Sequence, residues 1–339
     1  MNDQWKVSQT SKVFNLTADP KELVGIQYLL SGRANRDGDA MVFPIYLNSD
    51  DKPMAGSLSL NAQAQKIRQQ SVPIEGFISC MHLFGSKNIL GSAALFEKTF
   101  RNDDGSYMTF EQNVAKKIAE IKDAIDRRLE YTFWQFATDG KATTIAGLDQ
   151  VIVDYDLGMP AGNKIVLTGD DMWDNANADI TDELAEIINI FALYGIKDIV
   201  AFYPLKAGRA ITNWIRANNG LFISEPLKNT LDFGTPGMIP VNWNGINWVQ
   251  CTHNYRDVNG NLASYLNDNY VYFMPLRASD AWDFVNAPSV LTKSNGWGAS
   301  QEQLMNPPQT VIYGELNAIV YPFYPKRIVS VHWTDDGEA

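Results

Sequence analysis

Apolar residues recur at steps of three and four along one stretch of the chain: Phe110, Val114, Ile118, Ile121, Ile125, Leu129, Phe133 and Phe136. That spacing sets them on a single stripe of one long helix. Thr109 followed by Gln112 is a capping-box start, and Asp139-Gly140 supplies the stop, because glycine tolerates the left-handed conformation beyond a helix end. The pattern predicts a helix over 109–138, about 45 Å long at about 1.5 Å per residue. Burying the stripe at about 1.5 to 3 kcal/mol per side chain gives a gross gain on the order of 10 to 20 kcal/mol before chain entropy is subtracted. An extensive surface must therefore lie along it. The other positions, Lys116, Lys117, Lys122, Asp123, Asp126, Arg127, Arg128 and Glu130, read as a solvated face of mixed charge.

Upstream, residues 1–40 are mixed, with ADPKELVGIQYLL as the one helix-like piece and a polar run after it, and they read as an arm that is weakly structured alone. Two strand-like runs follow over 41–78, separated by turn residues Asp50, Asp51, Pro53 and Gly56. In the second, Leu58, Leu60, Ala62 and Ala64 alternate with polar residues, so the hairpin's apolar face is thin. Such a hairpin is expected to project and lie on another surface. Beyond Gly140 come the strand-like runs LDQVIVDYDL and NKIVLTG. From Thr181 a helix, the strand KDIVAFY and the helix AGRAITNWIRANN follow with short links, which is an α/β layer unit. Residues 222–269 are loop-rich around one expected strand, NWVQCTHNY, before the strand NYVYFMPLR and the closing run TVIYGELNAIVYPFYPKRIVSVHW.

Composition narrows the function. The 339 residues carry a formal net charge of −11, which argues against phosphate binding as the main task. The two cysteines, Cys80 and Cys251, lack metal-ligand spacing, so neither a disulfide framework nor a zinc site is indicated, and a reducing compartment is expected. With no apolar run fit for a signal peptide or a membrane span, the reading is of a soluble, unexported protein without a membrane partner.

Candidate chemistry is sparse. Asp154 and Asp156 form a D-x-D pair that could hold a divalent metal, but they alternate with Val153, Tyr155 and Leu157 and read more simply as outward-facing strand residues. Gly169-Asp170-Asp171 resembles a polymerase metal turn and reads more simply as a plain turn. His82, His253 and His332 are scattered, and His332 reads as an outward or hydrogen-bonded strand histidine. Cys251 and His253, two apart on an expected strand, would face one side without an orienting third group. Trp243, Trp248 and Trp297 could line a sugar-binding cleft or meet a neighbouring subunit. No catalytic, cofactor-binding or metal residues are assigned, and no cofactor is expected.

Four segments taken in order, RRLEYTFWQFATDGKATT, LYGIKDIVAFYPLKAGRAITNWIRANN, NYVYFMPLRASD and YPKRIVSVHW, resemble the lambda-type capsid protein E family of tailed-bacteriophage major capsid proteins. The resemblance covers roughly residues 40 to 335. It implies the Hong Kong 97-type α+β capsid fold: an amino-terminal arm (1–40), an extended-loop hairpin (41–78), a peripheral domain built on the spine helix (79–180), an axial domain (181–307), and return strands with a tail (308–339). It also implies a structural protein of the virion, not an enzyme. Hexamers and pentamers would close into an icosahedral shell around double-stranded DNA, assembled in the host cytoplasm. Scaffold, maturation protease, portal and decoration protein would be its partners. An encapsulin-like nanocompartment shares the fold and is the alternative; a glycan-acting enzyme using Trp243, Trp248, Asp154 and Asp156 is the distant one.

Overall fold

The computed structural model describes residues 23–32, 35–37, 42–45, 76–90, 110–142, 155–156, 159–218, 242–256, 261–293, 295–305 and 308–334. Its axis is the spine helix, Phe110–Asp139, which ends where the sequence stops it: Gly140 takes φ +69° and its N–H bonds to the carbonyl of Phe136 at 2.9 Å. Ile118, Ile121, Ile125, Leu129, Phe133 and Phe136 are all buried.

One sheet lies along the stripe. Its centre is the fifteen-residue strand Pro308–Pro322 (β16). One edge of β16 pairs antiparallel with Met81–Leu90 (β4). The other edge pairs first with Gly298–Met305 (β15) and then with Trp282–Ala287 (β14). Asn35–Asp37 (β1) adds to β14 in parallel. Gly85 sits opposite Gly314 in this sheet, and a Cβ on Gly85 would lie 2.9 Å from Ile121 Cγ2. The glycine pair lets the spine helix approach the sheet closely.

The spine's other side meets a second sheet of six strands, ordered Lys164–Val166 (β7), Val329–His332 (β17), Tyr270–Pro275 (β13), Ile199–Tyr203 (β8), Ile246–Gln250 (β10) and Asn242–Trp243 (β9). Strand residues alternate between its two faces. Val200, Phe202, Tyr272 and Met274 join the spine's core, while Ile199, Ala201, Tyr203, Val271 and Phe273 pack under the helices Ile180–Leu193 and Leu205–Ala217. Asp179 caps the first of these helices by accepting from the amides of Thr181 and Asp182. The layers are thus sheet, spine, sheet, helix pair. Strands on both sides of position 307 share the first sheet, and β17 lies between β7 and β13 in the second.

This layering corrects the solvated-face reading at three of its eight positions, while Lys116 is exposed as expected and the other four are half-buried. Lys122, Asp126 and Glu130 are buried, because a helix running between two sheets buries two faces. Trp134 is the second face's anchor, with its ring centroid 5.5 Å from Phe202 and 5.7 Å from Tyr272. The helix-like piece expected in the arm is present. Val24–Ser31 is a helix whose Ile26, Tyr28 and Leu29 are buried in the spine's core, so this part of residues 1–40 is an integral piece of the subunit. Of the hairpin at 41–78, the base is seen as Val42–Ile45 (β2) paired antiparallel with Gly76–Ser79 (β3). The alternating run from Leu58 lies outside the described residues. The single strand expected at NWVQCTHNY is two, β10 and Asn254–Arg256 (β11), the latter paired with Leu262–Ser264 (β12).

Candidate functional site

The most elaborate polar site lies where the arm helix meets the spine. The arm helix begins after Leu23, whose side chain offers no cap, and its first amides would otherwise be orphaned. Glu130 supplies the cap from 105 positions away: Oε1 accepts from Gly25 N at 2.8 Å and Oε2 from Ile26 N at 2.7 Å. Trp134 Nε1 donates to the same Oε1 at 2.7 Å. A Cβ on Gly25 would stand 2.5 Å from the Phe133 ring, so only glycine fits at that contact. Burial pushes the Glu130 carboxyl above the usual range, and the three hydrogen bonds act against that shift. The site's charge also raises the thiol of Cys251 and the hydroxyl of Tyr265, in each case after a larger effect of burial.

On the far face of the first sheet, Glu315 is buried and anchors the loop between β14 and β15. It accepts from Ser289 Oγ and from Leu291 N, the latter at 2.7 Å. Beside it, Asn317 Nδ2 donates to Pro288 O at 2.7 Å, and its Oδ1 lies 2.6 Å from His82 Nδ1. His82, Phe84 and Tyr313 stack in sequence on the open side, with centroids 6.0 and 5.7 Å apart, and the loop presents Val290 to solvent. A cleft of about 310 Å³ opens between the spine's end and the β11–β12 hairpin, walled by Tyr131, Trp134, Gln135, Tyr255 and Tyr265.

The residues weighed in the sequence do not converge. Asp154 lies outside the described residues, and Asp156 falls on the two-residue strand Tyr155–Asp156 (β6), paired with Lys141–Ala142 (β5). Gly169-Asp170-Asp171 forms a 3-10 turn. His332 is buried, not outward, with its ring 4.8 Å from that of Tyr270. Cys251 and His253 lie in the break after β10, so the strand that would have aligned them is absent there. Trp248 is buried and donates to Trp243 O at 3.1 Å, while Trp297 belongs to the other core beneath Lys122. The three tryptophans therefore form no common cleft. Among the described residues, no group of three or more His, Cys, Asp or Glu side chains could hold a metal ion. No described helix is long and apolar enough to cross a membrane.

What decides the family is the match of residues 84–332 to the model described as phage major capsid protein E. The chain belongs to the phage major capsid protein E family. No curated protein matches it. Among solved structures, a phage-related protein from Bordetella bronchiseptica RB50 is 10% identical with a TM-score of 0.59, covering 96% of each chain. A candidate capsid protein of an E. coli CFT073 prophage is 12% identical with a TM-score of 0.55, over 76% of this chain and 78% of its own. The SrpI encapsulin of Synechococcus elongatus PCC 7942 is 10% identical with a TM-score of 0.51, over 98% and 96%. At such identities the likeness is one of fold, and that fold is the α+β fold of Hong Kong 97-type capsid proteins. Among the described residues, Phe84, Val290, Leu262, Val166 and Leu193 are large apolar side chains that stand exposed.

Proposed function

We propose that this capsid protein self-associates as hexamers and pentamers into the icosahedral head shell of a tailed phage and encloses its double-stranded DNA. The observation that carries the reading is the family match over 84–332, joined to a fold in which the spine helix is held between two sheets. In this reading the six-stranded sheet and its two helices form the axial part, grouped near 181–307. The five-stranded sheet on the spine forms the peripheral part, and the hairpin based on β2 and β3 is the extended loop lying across an adjacent subunit. Many modest interfaces repeated by symmetry let misplaced subunits dissociate before the shell closes. Scaffold, maturation protease, portal and decoration protein are the expected partners, with assembly in the host cytoplasm. The net charge of −11 suits a wall that confines DNA without adhering to it. The subunit's task is structural, with no reaction of its own.

A second reading, a nanocompartment that encloses enzymes, draws on the fold shared with the SrpI encapsulin. Negative-stain electron microscopy of the expressed protein, with and without its genomic neighbours, tests both. Closed polyhedral shells are expected, and nuclease-protected DNA inside them supports the phage head. A cargo protein instead of DNA would favour the nanocompartment, and a monomer under every condition would overturn assembly altogether.

A further inference from the structure

We propose that the arm helix Val24–Ser31 is a withdrawable bolt that fixes the two sheets of the subunit relative to each other, with Glu130 as its catch. The helix contacts the spine and the six-stranded sheet, and the chain beyond it joins the five-stranded sheet. Tyr28 donates its hydroxyl to Pro275 O, at the end of β13 in the six-stranded sheet, at 2.6 Å, and its ring lies 5.3 Å from Phe202 in the same sheet. Its amino end is held by Glu130 of the spine. Its carboxyl end accepts from Ser279 N at 3.2 Å through Gly32 O, and Gly32 packs so closely on Ala278 that a Cβ there would clash with backbone. Three positions further on, β1 joins the five-stranded sheet through β14.

The catch is balanced. An eight-residue helix without its own cap is marginal by itself, so its order depends on where it docks. Glu130 is 2% exposed, and its three partners are neutral donors, two of which belong to the bolt. Withdrawal costs those two bonds and the burial of Ile26, Tyr28 and Leu29, and the return of a buried carboxylate to water offsets part of that cost. Subunits of one sequence that occupy five- and sixfold surroundings need slightly different angles between their layers, and a bolt of this kind sets that angle. Only this purpose rests on the shell reading; the bolt itself is a property of the subunit.

The test is made on the full-length, unassembled chain. Hydrogen exchange is followed in E130Q, which removes one acceptor, and in Y28F, which removes only the bond to Pro275. In parallel, spin labels at L193C and S86C report the spacing of the two layers, both sites being exposed while Cys80 and Cys251 are buried. Exchange at 24–31 should rise at least tenfold in E130Q with spine protection retained, and the label distance distribution should broaden in both variants. Unchanged exchange at 24–31, equal acceleration throughout the chain, or a released helix with an unchanged distance distribution would each overturn the proposal.

Discussion

Glu130 shows how far a single side chain can depart from what its spacing suggests. Charges at 122, 126 and 130 step by four and trace a line that reads as a wet face, yet all three side chains are buried. Helical periodicity assigns faces relative to one packing partner, and it carries no mark for a helix that passes between two. The signal available was local: Trp134, four residues on, is too large and apolar for a solvated face, and its indole bonds to Glu130. Burial raises the Glu130 pKa in the folded state above its unfolded value, so the folded chain holds that proton more tightly. Stability from this group is full below the unfolded pKa and is lost as pH rises through the folded one. The groups facing it, Cys251 and Tyr265, have raised pKa values of their own, while Arg127, one turn back, is bonded to Asp123. Thermal unfolding of wild type and E130Q from pH 4 to 8 should therefore show wild type losing ground to the variant as pH rises. A difference independent of pH would contradict the burial of a titrating carboxyl.

At the scale of elements, the spine helix, the helices near 181 and 207 and the strands near 199 and 270 were legible because each carries one period and clear stops. Asp179 and Gly195, the latter at φ +71°, bracket one of them. The hairpin at Asn244-Gly245 was legible in principle, since both residues take positive φ as a tight turn between β9 and β10 requires, but Trp and Asn around it masked the short strands. The break at Cys251 had no sequence mark. How closely two elements pack was equally hidden, since it depends on Gly85 and Gly314 becoming neighbours across more than two hundred residues. That approach gives a sharp expectation. G85A should cost about 1 to 3 kcal/mol by overpacking against Ile121, and I121A about 2 to 5 kcal/mol by leaving a cavity. Together they should cost less than their sum, because the added methyl enters the vacated space. Chemical denaturation of the four chains measures the coupling, and strict additivity would show that Gly85 and Ile121 do not press on each other.

For the whole molecule, the order of strands along the chain differs from their order in space. β17 fills the slot between β7 and β13, and Val329 and Val331 belong to the core under the two outer helices. The resemblance to the capsid family indicated a closing strand at YPKRIVSVHW, but its place inside the sheet could not be read from the segment. A chain ending at Arg327 would keep the spine helix, both outer helices and all of β16, yet its six-stranded sheet would be split. Such a chain should lose its cooperative unfolding transition by near-ultraviolet circular dichroism; a transition like that of the full chain would mean that β17 is dispensable.

The same slot bears on synthesis. β13 leaves the ribosome well before β17, by about 3 to 11 s at ordinary elongation rates of roughly 5 to 20 residues per second. During that interval the edge of β13 that pairs with β17 stands open. A subunit released before Val329 would present that unpaired edge of β13, so its folding, and any assembly that depends on it, is expected to fail.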